Sequence, residues 1–333
     1  MKIGNSLPGK PKIIVELCQN HGGDRQVLKD MIYAAKENGA DIVKGQLIFS
    51  DDLTHRPRFD EGEEEHNGVR KTIKRPYQAE FDRLKTLDLS EDDHRFFMDE
   101  ANKVGITPML TVFSRRRISL AASLPYKGEK LVKVASFDCA SQSLISELSG
   151  KFDSLFISTG GTFDDEIKNT AELLKQKNKD FVFFHCVISY PNTLGMANLA
   201  RMEWLRQFTP NVGWSDHTLV ARDGLKVSKV AMMLGADYIE RHFTVLAADK
   251  TKDGPVSINP EMLKELSNFA RLSKDEQKSI VEKEIPGWRE AMGLASREMT
   301  HTEMLNRDYY RGRFASLINN EWIYNWEDKP ILG

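Results

Sequence analysis

Eight short apolar runs alternate with longer segments of helical period, and this alternation constrains the fold more than any other feature. The longer segments place apolar residues three and four positions apart and often end in Gly, as helices do. Strands separated by helices pair in parallel through crossovers. The apolar runs are KIIVELC, DIVKGQ, TPMLTVF, LVKVAS, SLFIST, FVFFHCV, NVGWSD and DYIERHF.

These units extend from Lys12 to Leu272, close to the usual length of a (β/α)8 barrel. We therefore predict an α/β fold, with a (β/α)8 TIM barrel over residues 1–290 and a short C-terminal extension or arm over residues 291–333. A doubly wound open sheet is the alternative, but no G-x-G-x-x-G follows the first run to support a dinucleotide fold. Long polar loops at residues 49–78 and 246–260 are expected to be functional.

Composition limits the classes of binding partner and the cellular compartment that we expect for the protein. The formal net charge of −2 over 333 residues gives no reason to expect nucleic acid or an anionic membrane as a partner. No apolar run approaches the length of a membrane span or forms an N-terminal signal peptide. Cys18, Cys139 and Cys186 are an odd number of cysteines within apolar runs, which predicts buried thiols. The expected location is therefore cytoplasmic.

Polar residues follow the apolar runs at one end, where the loops of a barrel converge on a single pocket. Lys44 and Lys133 would both point inward with one carboxylate, Glu16, to share, so the sequence predicts an anion site. Simple pairing of these lysines with Glu16 is the alternative. Side-chain hydroxyls after these runs and the backbone N–H groups of the STGG turn are suited to binding phosphate. The candidate hydroxyl-bearing positions are Thr111, Ser136, Ser158 and Ser215.

Two successive apolar runs end on a histidine, His217 and His242. If the strands are neighbours, the two imidazoles lie together and suit Mn²⁺, Zn²⁺, Co²⁺ or Fe²⁺ with open coordination positions. A hydrogen bond between the rings or a proton relay is the alternative. His185, between Phe184 and Cys186, is interpreted instead as a hydrogen-bonded core histidine.

Several motifs give the chain a family resemblance from about Ile13 to Leu263. They are VELCQNHGGD, GADIVKGQ, KVASFDC, ISTGG, FHCVISYP, VGWSDHT and LGADYIERHFT. The chain resembles the sialic acid synthase family, which condenses phosphoenolpyruvate with an amino sugar to make N-acetylneuraminate, legionaminate or pseudaminate. The resemblance implies a transferase that releases phosphate, a homodimer, and a divalent metal, Mn²⁺ first, with Mg²⁺ or Co²⁺ as alternatives.

The resemblance also implies a role for individual residues. The positions that match catalytic residues are Glu16, Lys44, Lys133, His217 and His242, of which the two histidines match metal ligands. The positions that match phosphoenolpyruvate contacts are Lys44, Thr111, Lys133, Ser136 and Ser215, to which we add the Ser158 hydroxyl. The positions that match sugar contacts are Gln46, Asp138 and Tyr190, where Asp138 replaces the more common glutamate.

The chain departs from the family pattern mainly on the sugar side. It reads Gly254-Pro255-Val256 where the family has Gly-Pro-Asp, and Asp253 lies in a different register, so we include it as a sugar-binding candidate. Losing a carboxylate leaves sugar hydroxyls unpaired. We therefore expect a related condensation on a different N-acylated amino sugar, another aldose or a sugar phosphate. A catalytically silent sugar-binding paralogue is the alternative from another functional class.

Residues 291–333 begin like the linker to the antifreeze-like domain of the family but are too few for a complete domain. We interpret them as a remnant of that domain. The expectation is an arm that docks on a partner subunit, with Arg311 or Arg313 reaching the neighbour's sugar. Packing of the arm on its own barrel is the alternative.

Overall fold

The computed structural model describes residues 10–65 and 68–326. Eight parallel strands form a closed barrel, in which β1 pairs with both β2 and β8. The strands are β1 (Lys12–Glu16), β2 (Ile42–Leu47), β3 (Thr107–Val112), β4 (Leu131–Val134), β5 (Ser154–Ser158), β6 (Asp180–His185), β7 (Val212–Asp216) and β8 (Tyr238–His242). Each overlaps one of the eight predicted runs and extends at most one residue beyond it. The TIM barrel is confirmed, and the open-sheet alternative is wrong.

Helices connect the strands on the outside of the barrel. Capping follows the local sequence: the fourth helix starts at Ser90, which forms a capping box with Asp93, and ends at Gly105 with φ of 71°. The helices are α1 (Arg25–Glu37), α2 (Arg58–Glu61), α3 (Tyr77–Lys85), α4 (Glu91–Val104), α5 (Ile118–Ser123), α6 (Gln142–Ser149), α7 (Asp164–Gln176), α8 (Arg201–Leu205), α9 (Val220–Asp223), α10 (Lys226–Met233), α11 (Pro260–Ala270), α12 (Lys274–Glu284) and α13 (His301–Tyr310).

Short elements decorate the loops at the mouth of the barrel. The 3-10 turns are Ser50–Asp52, Arg115–Arg117, Ser136–Asp138, Leu194–Met196, Gly254–Val256 and Trp288–Ala291. Two antiparallel hairpins pair Glu63–Glu64 with Arg70–Thr72 and Ala315–Ile318 with Glu321–Tyr324. The predicted boundary at residue 290 falls inside the last 3-10 turn, and the domain division stays a prediction.

The inside of the barrel is apolar at the amino ends of the strands and polar at their carboxyl ends. Within the apolar part, the centroid of the Phe184 ring lies 5.8 Å from that of Phe156 and 5.9 Å from that of Tyr238. A Cβ on Gly213 would lie 2.3 Å from the Phe184 ring, so only glycine fits beside it. The apolar layer is Ile14, Ile42, Met109, Leu131, Phe156, Val182, Phe184 and Tyr238. Because side chains alternate along a strand, the inward residue two positions later reaches the mouth.

The described part of the C-terminal arm packs on its own barrel, and its docking on a partner subunit stays a prediction. Phe314 is buried with Ile48, Leu53 and Leu84 from the region after β2. The Asn325 side chain donates to the Phe113 carbonyl at 2.8 Å. Aromatic and amide groups of the arm therefore find partners within the same chain, as the alternative expected.

No helix in the described residues is long and apolar enough to cross a membrane. All three cysteines are buried free thiols, as the sequence predicts.

Candidate functional site

A cavity of about 610 Å³ opens at the carboxyl ends of the barrel strands. Every predicted site residue except Arg311 lines it. The guanidinium of Arg311 lies 4.0 Å from the centre of the Trp326 ring, and it is Arg313 that lines the cavity. The predicted residues that the cavity brings together are Glu16, Lys44, Gln46, Thr111, Lys133, Ser136, Asp138, Ser158, Tyr190, Ser215, His217, His242 and Asp253.

The floor of the cavity carries two buried lysines, Lys44 and Lys133, which are 4% and 2% exposed. Lys44 forms an ion pair with Glu16 and donates to the Thr111 hydroxyl at 3.1 Å. The ammonium of Lys133 lies 2.9 Å from Glu240 Oε2 and 3.8 Å from the centre of the Phe184 ring. Buried charges require such partners, and each lysine has one.

Glu240 is a site residue that sequence reasoning missed. It joins the two lysines, because its Oε1 lies 3.8 Å from Lys44 Nζ while its Oε2 accepts from Lys133. Ser215 donates to Oε1 at 2.9 Å. The expectation of one shared carboxylate was therefore wrong, and the floor has two lysines for two carboxylates. The signal was in DYIERHF, where Glu240 stands two positions before His242 and so faces the same side.

Burial and charge act differently on the two lysines. Burial opposes the charge of Lys44, but Glu16 and Glu240 outweigh it and raise the pKa of Lys44. Burial prevails at Lys133 and lowers its pKa, although Glu240 counteracts it. Burial also opposes the charge of Glu240, but both lysines lower its pKa to about 2. An added anion would stabilise the charged form of Lys133, as the approach of any opposite charge does.

The two predicted histidines lie side by side on adjacent strands. The ring centroids of His217 and His242 are 5.2 Å apart, with the rings nearly perpendicular. The Tyr190 hydroxyl lies 3.2 Å from His217 Nε2, while His217 Nδ1 has no hydrogen-bond partner among the described residues. Burial, followed by the proximity of His242, lowers the pKa of His217 well below its usual value. Burial therefore favours the neutral form of His217, whose ring nitrogens can donate a lone pair to a cation.

Cys18 is a second residue that sequence reasoning left unassigned, beyond its being a buried thiol. Its sulfur lies 3.3 Å from His242 Nδ1. Single donor atoms of Cys18, His242 and Asp253 all lie within 4.8 Å of one another, a spacing that could hold a metal ion. Cys18 also has φ of 49°, which is uncommon for a residue with a side chain. The sequence alone does not indicate this group, because Cys18 and His242 are 224 positions apart in the chain.

The predicted sugar contacts surround these groups. Gln46 donates to Glu16 Oε1 at 2.9 Å. Asp138 Oδ1 accepts from Asn325 Nδ2 and from Trp326 Nε1, each at 3.2 Å. Burial raises the pKa of Asp138 to about 7, although both hydrogen bonds oppose the shift. Two arm residues thus complete the environment of a carboxyl group at the cavity.

His185 is a buried histidine outside the cavity, in agreement with its interpretation as a core residue. Phe184 points into the barrel, so its neighbour His185 points out, where Nε2 lies 2.7 Å from the Ala197 carbonyl. Burial lowers its pKa to about 3. It takes no part in the cavity.

The rim of the cavity is cationic, which sequence reasoning did not foresee. Arg75, Arg83, Lys252 and Arg313 all line it. They come from the excursion after β2, the loop after β8 and the arm. Periodicity carries no information on how such loops meet, so only the folded chain brings these four together.

The chain matches the NeuB family over residues 31–281. It is 34% identical over 268 residues to the N,N'-diacetyllegionaminic acid synthase of Legionella pneumophila, covering 78% of this chain and 71% of that protein. It is 30% identical over 269 residues to the N-acetylneuraminate-9-phosphate synthase of Homo sapiens, covering 78% and 69%.

Among solved structures, the N-acetylneuraminic acid synthetase of Leptospira borgpetersenii in complex with citrate is similar in fold. The TM-score is 0.68 at 22% identity, over 93% of this chain and 95% of that chain. The family match spans most of the barrel, including seven of the eight strands. The chain therefore belongs to the NeuB family and is an enzyme of the sialic acid synthase type.

Proposed function

We propose that the protein condenses phosphoenolpyruvate with an N-acylated amino sugar to give a nonulosonic acid and inorganic phosphate. The observation that carries this proposal is one cavity that joins a two-lysine floor to a pair of adjacent histidines. The lysines suit a small, multiply charged anion, and the histidines suit a divalent cation. Family membership adds the reaction class.

Phosphoenolpyruvate would bind at the floor through Lys44 and Lys133. Four hydroxyl-bearing residues line the same cavity and could add hydrogen bonds: Thr111, Ser136, Ser158 and Ser215. Because each lysine already has a carboxylate partner, an incoming anion would take over part of that pairing. Glu16 would then be released from Lys44, which leaves its carboxylate available for a proton.

A divalent metal fits the group of residues above the floor. His217 and His242 would hold it, supported by the unpartnered His217 Nδ1 and by the neighbouring Cys18 and Asp253 donors. When bound, the metal would polarise the aldehyde oxygen of the open-chain sugar. Nitrogen and carboxylate ligands suit Mn²⁺, which remains our first choice, with Mg²⁺ and Co²⁺ as alternatives. A ligating Cys18 would favour Co²⁺ over Mg²⁺, since sulfur is a soft ligand.

The side chains then act mainly by positioning and by charge. Lys44 and Lys133 hold phosphoenolpyruvate so that its methylene carbon faces the sugar aldehyde carbon, and these two carbons form the new bond. Positive charge develops at the neighbouring enol carbon, where the Glu16 carboxylate, once released from Lys44, would stabilise it. Water adds to that carbon and gives a proton to Glu16, which passes it to the former aldehyde oxygen, so that this oxygen becomes a hydroxyl. The bond from carbon to the phosphate oxygen then breaks, the hydroxyl left on that carbon gives its proton to the departing phosphate, and a ketone remains.

The acceptor sugar would occupy the side of the cavity lined by Gln46, Asp138, Tyr190 and Asp253. Asp138, with its pKa raised to about 7, can donate or accept a hydrogen bond near neutral pH. A homodimer and a cytoplasmic location complete the proposal. Arg313 of the same chain would supply the arginine contribution, which its position on the cavity wall supports.

The test is phosphate release from phosphoenolpyruvate with Mn²⁺, against a panel of N-acylated hexosamines and other aldoses. Release that requires the sugar, phosphoenolpyruvate and metal together is the expected result. Lys44→Met should abolish it, whereas Lys250→Met, an exposed lysine outside the cavity, should not. No phosphate release with any sugar of the panel, or no binding of phosphoenolpyruvate by calorimetry, would reject the proposal.

A further inference from the structure

We propose that the cationic rim (Arg75, Arg83, Lys252 and Arg313) binds a phosphate group on the acceptor sugar. This inference rests on the proposed function and narrows its substrate class from amino sugars to amino sugar phosphates. The phosphate would lie at the end of the sugar remote from the reacting aldehyde.

The rim contains more positive charge than its carboxylates neutralise. Glu80 is the partner of two rim residues: it accepts from Arg83 through two bonds of 2.9 Å and forms an ion pair with Arg313. Burial opposes the charge of Glu80, but the Arg83 hydrogen bonds and the charge of Arg313 lower its pKa to about 2. One carboxylate is therefore firmly ionised, and it is shared between two arginines.

Lys252 and Arg75 remain without such a partner. Within residues 10–65 and 68–326, neither side chain has an ion pair within 4.0 Å. The adjacent Asp253 faces both the rim and the histidine pair, since its charge acts on Arg83 and its carboxylate lies within 4.8 Å of donor atoms on Cys18 and His242. Glu80 and Asp253 together still leave the four rim cations with surplus positive charge. A dianion at this position would relieve the repulsion among all four cations.

The rim borders the histidine pair at two points along the chain. Lys252 precedes Asp253, which approaches His242. Arg83 donates to Gln19 Oε1 at 3.0 Å, and Gln19 follows Cys18, whose sulfur contacts His242. A sugar with its aldehyde at the histidines would therefore have its other end within reach of the rim. Arginine forks suit the oxygens of a phosphomonoester, and Lys252 adds a point charge.

Attraction of free phosphoenolpyruvate is the other way in which a cationic rim can act, since surplus charge steers anions toward a site. The two explanations differ in the ligand that responds to a rim substitution. Steering changes the association of phosphoenolpyruvate, whereas a phosphate subsite changes the affinity for the phosphorylated sugar alone.

The experiment compares binding of matched sugars by calorimetry, in the presence of Mn²⁺ and phosphoenolpyruvate. The probes are N-acetylmannosamine, N-acetylglucosamine and their 6-phosphates. We expect a 6-phosphate to bind at least tenfold more tightly than its neutral sugar, and Lys252→Met to remove about tenfold of that preference, as losing one charge-assisted contact does. Lys250→Met, on the same loop but outside the cavity, should bind like the native protein.

Binding distinguishes failure of this inference from failure of the proposed function. Equal binding of neutral and phosphorylated sugars would overturn the phosphate subsite, even if a neutral sugar is turned over. A Lys252→Met variant that weakens only phosphoenolpyruvate binding would also overturn it in favour of steering. Tight, Lys252-dependent binding of a sugar phosphate without phosphate release would support the subsite while rejecting the condensation.

Discussion

The floor and the rim of the cavity handle positive charge in opposite ways. At the floor, Lys44 and Lys133 are almost fully buried and matched by Glu16 and Glu240. At the rim, Glu80 pairs with Arg83 and Arg313, while Arg75 and Lys252 are exposed. The floor residues belong to barrel strands, whereas the rim residues belong to the segments that connect the strands and to the arm.

Desolvation explains this difference. A buried lysine without a partner is costly, so the floor is neutralised within the protein before any ligand arrives. Water screens charge at the rim, so surplus charge is tolerated there. The comparison teaches that a ligand must exchange partners at the floor but can simply add its charge at the rim. If both proposals hold, the floor would carry the reaction chemistry and the rim would select the substrate.

Removing one floor lysine should have the largest effect on this comparison. Lys133→Met leaves Glu240 buried beside Lys44 alone, and we expect a loss of about 3–5 kcal/mol in the free energy of unfolding. Turnover should fall by orders of magnitude, because an anion-holding charge is lost. Denaturant unfolding and phosphate release measure the two effects.

The double variant Lys133→Met/Glu240→Gln is the matched control for this substitution. Because it removes the uncompensated carboxylate charge, it should regain much of the stability but none of the activity. If the double variant were no more stable than the single one, Glu240 would not be the compensating partner of Lys133.

Replacing Cys18 should weaken metal binding by a smaller factor than the loss of turnover expected for Lys133→Met. We expect Cys18→Ser to weaken Co²⁺ binding by about 10–100-fold, in the range for groups that tune a metal site. The sulfur-to-cobalt charge-transfer absorption should disappear with it. Cys139→Ser replaces another buried cysteine outside the cavity and should retain both properties. An unchanged absorption spectrum in Cys18→Ser would exclude sulfur as a ligand.

Glu80→Gln should destabilise the fold less than the floor substitution does. Arg83 and Arg313 lose a charged partner, but solvent reaches this side of the cavity, so we expect a loss of about 1–3 kcal/mol on denaturant unfolding. A loss as large as that of Lys133→Met would show that the rim is as dependent on internal compensation as the floor, which would end the contrast between them.

The sequence predicted the floor well and the rim poorly, for a physical reason. Strand periodicity places Glu16, Lys44, Thr111 and Lys133 at the carboxyl ends of the strands, where the barrel brings them together. The same rule also predicts Glu240 as a site residue. It stands two positions before His242 on the last strand, and side chains two positions apart face the same side. The eight strands were confirmed for the same reason.

Loops and the arm have no comparable rule. The meeting of Glu80 with Arg313 joins positions 233 residues apart, and no period in the sequence announces it. The docking of Asn325 and Trp326 at Asp138 is equally distant in sequence. Sequence reasoning therefore reached the regular geometry of a barrel and stopped where the chain packs irregularly.

Asp138 offers the most specific test, at the contact between the cavity wall and the arm. Its pKa is raised from 3.8 to about 7, so between these values the native state holds a proton that the unfolded state has lost. The free energy of unfolding should therefore fall as pH rises from about 4 to 7, by roughly 2–4 kcal/mol at most. Asp138→Asn, which is neutral in both states, should lack this part of the fall. Denaturant midpoints of both proteins across this pH range measure it. Parallel curves would mean that Asp138 is ionised in the native state, with Asn325 and Trp326 holding it as a carboxylate rather than as a neutral acid.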